Sequence, residues 1–261
     1  MKRFLLFLIL IAALLFLSSK YYFNTGLTIN EYSIKSQELP YGFNGFKVVH
    51  FSDLLIDTKT NFDKIEFLVN SINDNNPDII VFTGDVIKNA ISSEKESDLI
   101  EILSKLKCKY NKYAILGDHD TLDSKEILID SGFKLLDNEY DLIYQNDKAP
   151  IAIIGGNKLD ESIVSKNNYA YSIALIHKPD YFDDIKDMEY NLILAGHSLG
   201  GQIRLPFVGA LFKKDGANTY TNDYYKENNT IMYVSYGIGN EKYDLRFLNK
   251  PSYNIYRLYT K

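Results

Sequence analysis

Residues 191–206 read NLILAGHSLGGQIRLP, and the way this stretch is read decides the fold. Leu192, Ile193, Leu194 and Ala195 form a short apolar run that suits a buried strand. Gly196, Gly200 and Gly201 then break it into a tight loop around His197. Open α/β sheets commonly present a ligand or catalyst in this way, with a histidine at the carboxyl end of a strand and glycines that let backbone come close. The stretch therefore predicts an α/β fold whose chemistry lies in loops at strand ends.

The same letters satisfy a second pattern. Gly196-His197-Ser198-Leu199-Gly200 matches G-x-S-x-G, the nucleophile elbow that would make Ser198 an acyl-transfer nucleophile. Chain order argues against it, because that fold places its triad histidine after the serine. The four histidines here, His50, His119, His177 and His197, all precede Ser198. The elbow also continues into a helix, whereas residues 202–206 alternate polar with apolar and end in Pro206, which suits a strand or turn.

Outward from this loop, other apolar runs deliver polar residues in the same manner. Residues 46–52 read as a buried strand ending in Asp53, and 79–82 as one delivering Thr83-Gly84-Asp85. Residues 113–116 lead to Gly117-Asp118-His119-Asp120, and 171–176 to His177-Lys178-Pro179. Apolar residues at 62, 65, 68, 69 and 72 predict a helix over 61–72 packed on the sheet. Further helices are expected at 97–106, after a charge-rich solvated lead-in over 92–98, and at 123–131. Strands are expected at 27–34, 133–136, 141–144, 150–154, 231–239 and 253–259. Taken singly, an aspartate at a strand end is more often a cap, and a lone histidine a satisfied polar group. Six of them, all just after predicted strands, form a constellation.

In order and local spacing these segments resemble the calcineurin-like metallophosphoesterases, in particular the bacterial branch with an N-terminal membrane anchor. The family's GHTHGGQIRLP is matched at residues 196–206 with Leu199 in place of its second histidine. S-D-x-H is matched by Ser52-Asp53-Leu54-Leu55, with Leu55 for the histidine. G-D-x-x-D begins at Gly84-Asp85 but ends in Lys88, G-N-H-[DE] appears with Asp118 for asparagine, and His177-Lys178-Pro179 is similar to H-x-P. Asp57 lies near the first motif at a place that is normally glycine. The resemblance runs over residues 27–261 and includes non-catalytic text such as GQIRLPFVGAL.

The resemblance implies a four-layer αββα sandwich of two mixed sheets. It also implies divalent metal binding by Asp53, Asp85, Asp118, His177 and His197, with His119 as the catalytic residue that protonates the leaving oxygen. In the family the first ion takes the positions of Asp53, Leu55, Asp85 and Leu199; the second takes Asp85, Asp118, His177 and His197. Both leucines fall on the first ion, so the expectation is one ion per chain, Mn, Zn or Fe, held by Asp85, Asp118, His177 and His197. Lys88 or Arg204 could supply missing positive charge, although Lys88 reads more simply as a solvated loop residue.

Composition bounds the partners. At 261 residues, 46% apolar and 24% charged, the chain suits one large α/β domain, and its net charge of −5 gives no basic footprint for nucleic acid. The single Cys108 excludes an intrachain disulfide and reads as a small hydrophobe. Lys2 and Arg3 precede fourteen uninterrupted apolar residues, 4–17, followed by Lys20 and the aromatic trio Tyr21-Tyr22-Phe23. Small residues are missing at the positions signal peptidase needs, and the aromatics suit an interfacial belt. Residues 1–23 are therefore expected to be an uncleaved single-pass anchor and 24–261 the phosphoesterase domain, outside the cytoplasmic membrane. The expected activity is hydrolysis of a phosphomonoester or phosphodiester, on a phosphorylated small molecule or a lipid headgroup. The alternative is an inactive relative that binds phosphoryl ligands or partners at the membrane. Oligomeric state is not legible.

Overall fold

The computed structural model describes residues 1–145, 149–160, 162–163, 165, 168–241 and 243–261. The expected strands, joined by one that was not expected, Tyr224–Glu227, assemble into two six-stranded sheets. The first runs β1 (Thr28–Ser36), β14 (Ser252–Thr260), β2 (Phe46–Phe51), β3 (Ile79–Phe82), β4 (Lys112–Ala114), β5 (Phe133–Leu135). The second runs β12 (Tyr224–Glu227), β13 (Thr230–Val234), β9 (Leu192–Ala195), β8 (Tyr171–Ile176), β7 (Ile151–Gly155), β6 (Glu139–Ile143). Both are mixed. From β2 to β5 the pairing is parallel while β14 opposes β2, and β7, β8, β9 and β13 are parallel while β6 and β12 are not.

The central strands are apolar on both faces because both are covered. Val48, Ile79, Val81 and Ile115 meet Ile153, Ile173, Leu192 and Leu194 between the sheets. On the other face of the first sheet, Val49, Phe51, Ile80 and Phe82 pack under α2 (Phe62–Asp74), α3 (Ser93–Ser104) and α4 (Leu122–Asp130). Ala174, Ile176 and Ile193 turn outward from the second sheet against Phe182 and Ile185 of α5 (Phe182–Ile185). The result is the expected four layers, helix, sheet, sheet, helix. Helix α3 starts at Ser93, four residues before the sequence reading placed it. The Ser92 side chain accepts from Lys95 N, and Glu94 and Glu96 stabilise the positive end of the helix dipole, so the charged lead-in is the first turn.

Near the amino terminus, α1 (Lys2–Leu17) continues through a wider turn over Ser18–Tyr22. The resulting 21-residue helix is long and apolar enough to cross a membrane. No residue of α1 is buried, but its carboxyl end is fastened to the domain. Arg246 N donates to Ser19 O, Asn24 Nδ2 donates to Asp244 Oδ1 at 2.7 Å, and the Phe23 and Phe247 rings meet edge-on.

Candidate metal centre

Parallel strands β2 and β3 of one sheet and β8 and β9 of the other end on the same side, and the loops that follow them meet there. Non-glycine residues in these loops adopt left-handed backbone: Asp53, Leu55, Asp85, His197, Leu199 and Gln202 all have φ between 49° and 65°. That conformation costs roughly 1–2 kcal/mol for a residue with a Cβ, and it clusters at sites whose geometry the surrounding structure imposes. Gly84, at φ 92°, comes so close to Gly117 that a Cβ would lie 2.5 Å from its N and 2.8 Å from the His177 ring.

Asp85, His177 and His197 converge, each offering one ligand atom, all within 4.8 Å of one another. His177 Nε2 lies 3.2 Å from Asp85 Oδ2 and 3.0 Å from His197 Nδ1, while Thr83 O orients the ring through Nδ1 at 2.7 Å. His197 Nε2 is held by Asp215 O at 2.7 Å. Asp53 stands beside this group: its Oδ2 accepts from the His197 amide at 3.0 Å and from Ser52 Oγ. Asp118 is not one of these converging groups, although its charge acts on His197. Its carboxylate is half exposed and pairs with Lys178 Nζ at 2.9 Å, outside the cluster.

His119 occupies the rim. Its amide donates to Asp85 Oδ1 at 2.8 Å, and its Nε2 lies 3.6 Å from Glu241 and 4.0 Å from Asp85 Oδ2, with the ring one-third exposed. Asp57 only shapes its own turn, accepting from Lys59 N and Thr60 Oγ1. Leu55 and Leu199 are both buried. A Cβ on Gly237 would sit 2.7 Å from Leu199 Cδ2 and 2.8 Å from Asp53 Cβ, and one on Gly239 would sit 2.7 Å from Leu55 Cβ. The two leucines thus wall the Asp53 side of the site along one glycine-containing turn.

Four residues unmarked in the sequence reading complete the centre. Asp120 accepts the amides of Asp85, Val86 and Gly117, each at 2.8 Å, and so clamps two site loops together; it lay inside a quoted motif without a role. Lys214 buries its Nζ beside Glu241, at 3.4 Å, and its charge acts on Asp53 and His197. Fully buried Arg246 donates to the carbonyls of Tyr236, Gly237 and Gly239. Lys214, Glu241 and Arg246 come from loops with no local motif. The cations considered from sequence are committed elsewhere: Lys88 donates to Asn240 O, and Arg204 donates to Gly200 O and Thr221 O and lies over the Tyr236 ring.

The electrostatics are those of a carboxylate–imidazole centre. Burial lowers the His177 pKa, but Asp85 and Asp53 outweigh it and raise it to about 9. Burial pushes Asp85 up, yet His177 and the His119 amide hold it well below the usual carboxylate range. Burial raises Asp53 to about 6, opposed by His177 and Lys214. Burial, then Lys214 and His177, lower His197 to about 4, so it is neutral at pH 7. Among the described residues, the buried Asp53 Oδ1 and Asp85 Oδ2 accept no aligned hydrogen bond. Two such oxygens beside two imidazoles make a donor set that fits a divalent cation.

The family described as calcineurin-like phosphoesterase matches residues 46–201. The chain is 35% identical to the uncharacterized metallophosphoesterase YkuE of Bacillus subtilis, over 87% of this chain and 84% of that one. It is 24% identical to the UDP-2,3-diacylglucosamine pyrophosphatase LpxG of Chlamydia muridarum, over 82% and 84% of the two chains. Among solved structures, TT1561 of Thermus thermophilus aligns with a TM-score of 0.48 at 13% identity, covering 74% of this chain and 90% of that one.

Proposed function

Because the chain belongs to the calcineurin-like phosphoesterases, we propose that it is a membrane-anchored, metal-dependent phosphohydrolase working with one ion, its domain outside the cytoplasmic membrane. The observation that carries this reading is the convergence of Asp85, His177 and His197 beside buried Asp53, with His119 at the rim. Asp85, His177 and His197 would hold a cation, which would supply positive charge to phosphate oxygens and lower the pKa of a water. Asp53 orients the His197 loop through the amide hydrogen bond, and Asp118, paired with Lys178, offers its charge from outside the cluster. His119, close to Asp85 and Glu241 and open to solvent, is placed to give a proton to a departing oxygen. The substrate is a phosphomonoester, phosphodiester or phosphoanhydride on a lipid headgroup. The lipid class is supported by the apolar amino-terminal helix and by LpxG, whose name describes a pyrophosphatase of a diacylated sugar nucleotide.

A second reading, a phosphoryl-binding relative without turnover, is favoured by Leu55 and Leu199, which leave no imidazole for a first ion. Metal analysis of the full chain in detergent, together with hydrolysis of an aryl phosphodiester in Mn, separates the two. One ion per chain, with ion and activity both lost in His197→Ala, supports the enzyme. Neither ion nor turnover supports the binder.

A further inference from the structure

Residues 205–212 read LPFVGALF, without one polar side chain. They form the hairpin of β10 (Arg204–Leu205) and β11 (Gly209–Ala210), and Leu205, Phe207, Val208, Leu211 and Phe212 are all exposed, Phe207 completely. Other large exposed apolar side chains of the domain, such as Tyr41, Phe67 and Leu122, stand singly in the chain. An apolar concentration of this kind marks a surface that something covers.

What covers it follows from its neighbours. Ile203, at the root of the hairpin, bridges in parallel to Phe247; Arg204 N donates to Phe247 O and Phe247 N to Gln202 O. The same segment, residues 244–250, holds the base of α1: Arg246 and Phe247 contact Ser19 and Phe23, and Lys250 Nζ sits 4.1 Å over the Tyr22 ring. At about 3.3 Å per residue, Phe207 stands no more than roughly 13 Å from Ile203. Beside the hairpin, on the side of the metal centre, opens a pocket of about 300 Å³, lined by Leu199, Ile203, Phe212, Lys214, Glu241 and Leu245. It thus borders the Asp53 wall of the metal centre through Leu199.

We propose that the 204–211 hairpin inserts its Phe207–Val208 tip into the bilayer that α1 crosses, so that this pocket opens at the membrane surface. The proposal rests on reading residues 1–23 as a membrane span. Lipid is the occupant for three reasons: the hairpin's root is hydrogen-bonded to the segment that holds the anchor's base, aromatic and aliphatic tips suit the interface, and Lys213, Lys20 and Lys250 flank the hairpin and that base in the chain, where cations would meet headgroup phosphates. A phosphorylated amphiphile then reaches the centre without leaving the membrane, its chain along Ile203 and Phe212 and its phosphate towards Lys214.

The chain has no tryptophan, so single reporters can be introduced in the full protein, reconstituted in vesicles of phosphatidylcholine and phosphatidylglycerol with brominated acyl chains. Phe207→Trp probes the tip, Phe16→Trp the anchor, and Tyr41→Trp the opposite end of β2. The expected result is several-fold stronger bromine quenching, with blue-shifted emission, for Phe207→Trp and Phe16→Trp than for Tyr41→Trp. Quenching of Phe16→Trp alone overturns the hairpin proposal and leaves the anchor standing. Quenching of Phe207→Trp alone overturns the anchor reading and with it the proposal as stated, and quenching of neither overturns both. A blue shift of Phe207→Trp without quenching, in a chain that doubles its mass in detergent, gives the surface to a second copy and also overturns the proposal.

Discussion

The proton on His177 couples the centre to pH. In the metal-free protein its pKa of about 9, above the ordinary 6.5, reflects mainly its pairing with Asp85 against burial. A cation must displace that proton. Apparent metal affinity should therefore rise on the order of tenfold per pH unit until about 9, and titration calorimetry in buffers of different ionisation enthalpy should detect about one proton released per ion. For the metal-free fold the sign is the reverse. A raised histidine pKa contributes stability that is fully present below 6.5 and lost as pH rises through about 9, so the melting temperature should fall across that window. The second residue-scale prediction concerns the leucines. Leu55→His combined with Leu199→His restores two imidazoles beside Asp53, and metal analysis should move from one ion per chain towards two, with faster aryl phosphodiester hydrolysis. Unchanged stoichiometry would show that these loops do not align with the family's.

At the scale of elements, the centre depends on loops held together after β2, β3, β4, β8 and β9. Asp120 is the clamp, since one carboxylate takes three amides from two loops. Asp120→Ala leaves those donors without partners and should cost about 3 kcal/mol, seen as a lower denaturant midpoint, along with weaker metal retention. Asp120→Asn, which keeps one acceptor oxygen, should fall between the two. Gly117→Ala tests close approach directly, because its Cβ would fall on the Asp85 carboxylate and 2.7 Å from the His177 ring. The expected result is a folded protein, by circular dichroism, that no longer holds metal.

For the whole molecule, the geometry links an apolar amino-terminal helix, an apolar hairpin and a candidate metal centre through residues 244–250. The full chain should stay with membranes through an alkaline carbonate wash. Leu6→Arg with Leu10→Arg, at about 3 kcal/mol of insertion cost each near a helix centre, should shift it towards the wash. Loss of the protein from membranes without those changes would contradict the anchor.

Much of this was legible in one dimension, because strands covered on both faces read as unbroken apolar runs and the residues at their ends carry local motifs. Asp85, His177 and His197 each sit one to three residues beyond such a run, so the alternation of strand and loop put them at strand ends, and the resemblance to the family nominated them as ligands. Nomination is not placement. Asp118 lies beside His119 in the chain, yet its carboxylate turns to Lys178, whereas Lys214, from a loop with no signature, brings its buried ammonium to bear on Asp53. Sequence determined which strands and which families of loops exist, since local propensity and hydrophobic period act over a few residues. Only the tertiary structure decided which charges share a pocket, because electrostatic pairing depends on through-space distance and burial that residues far apart in the chain set together.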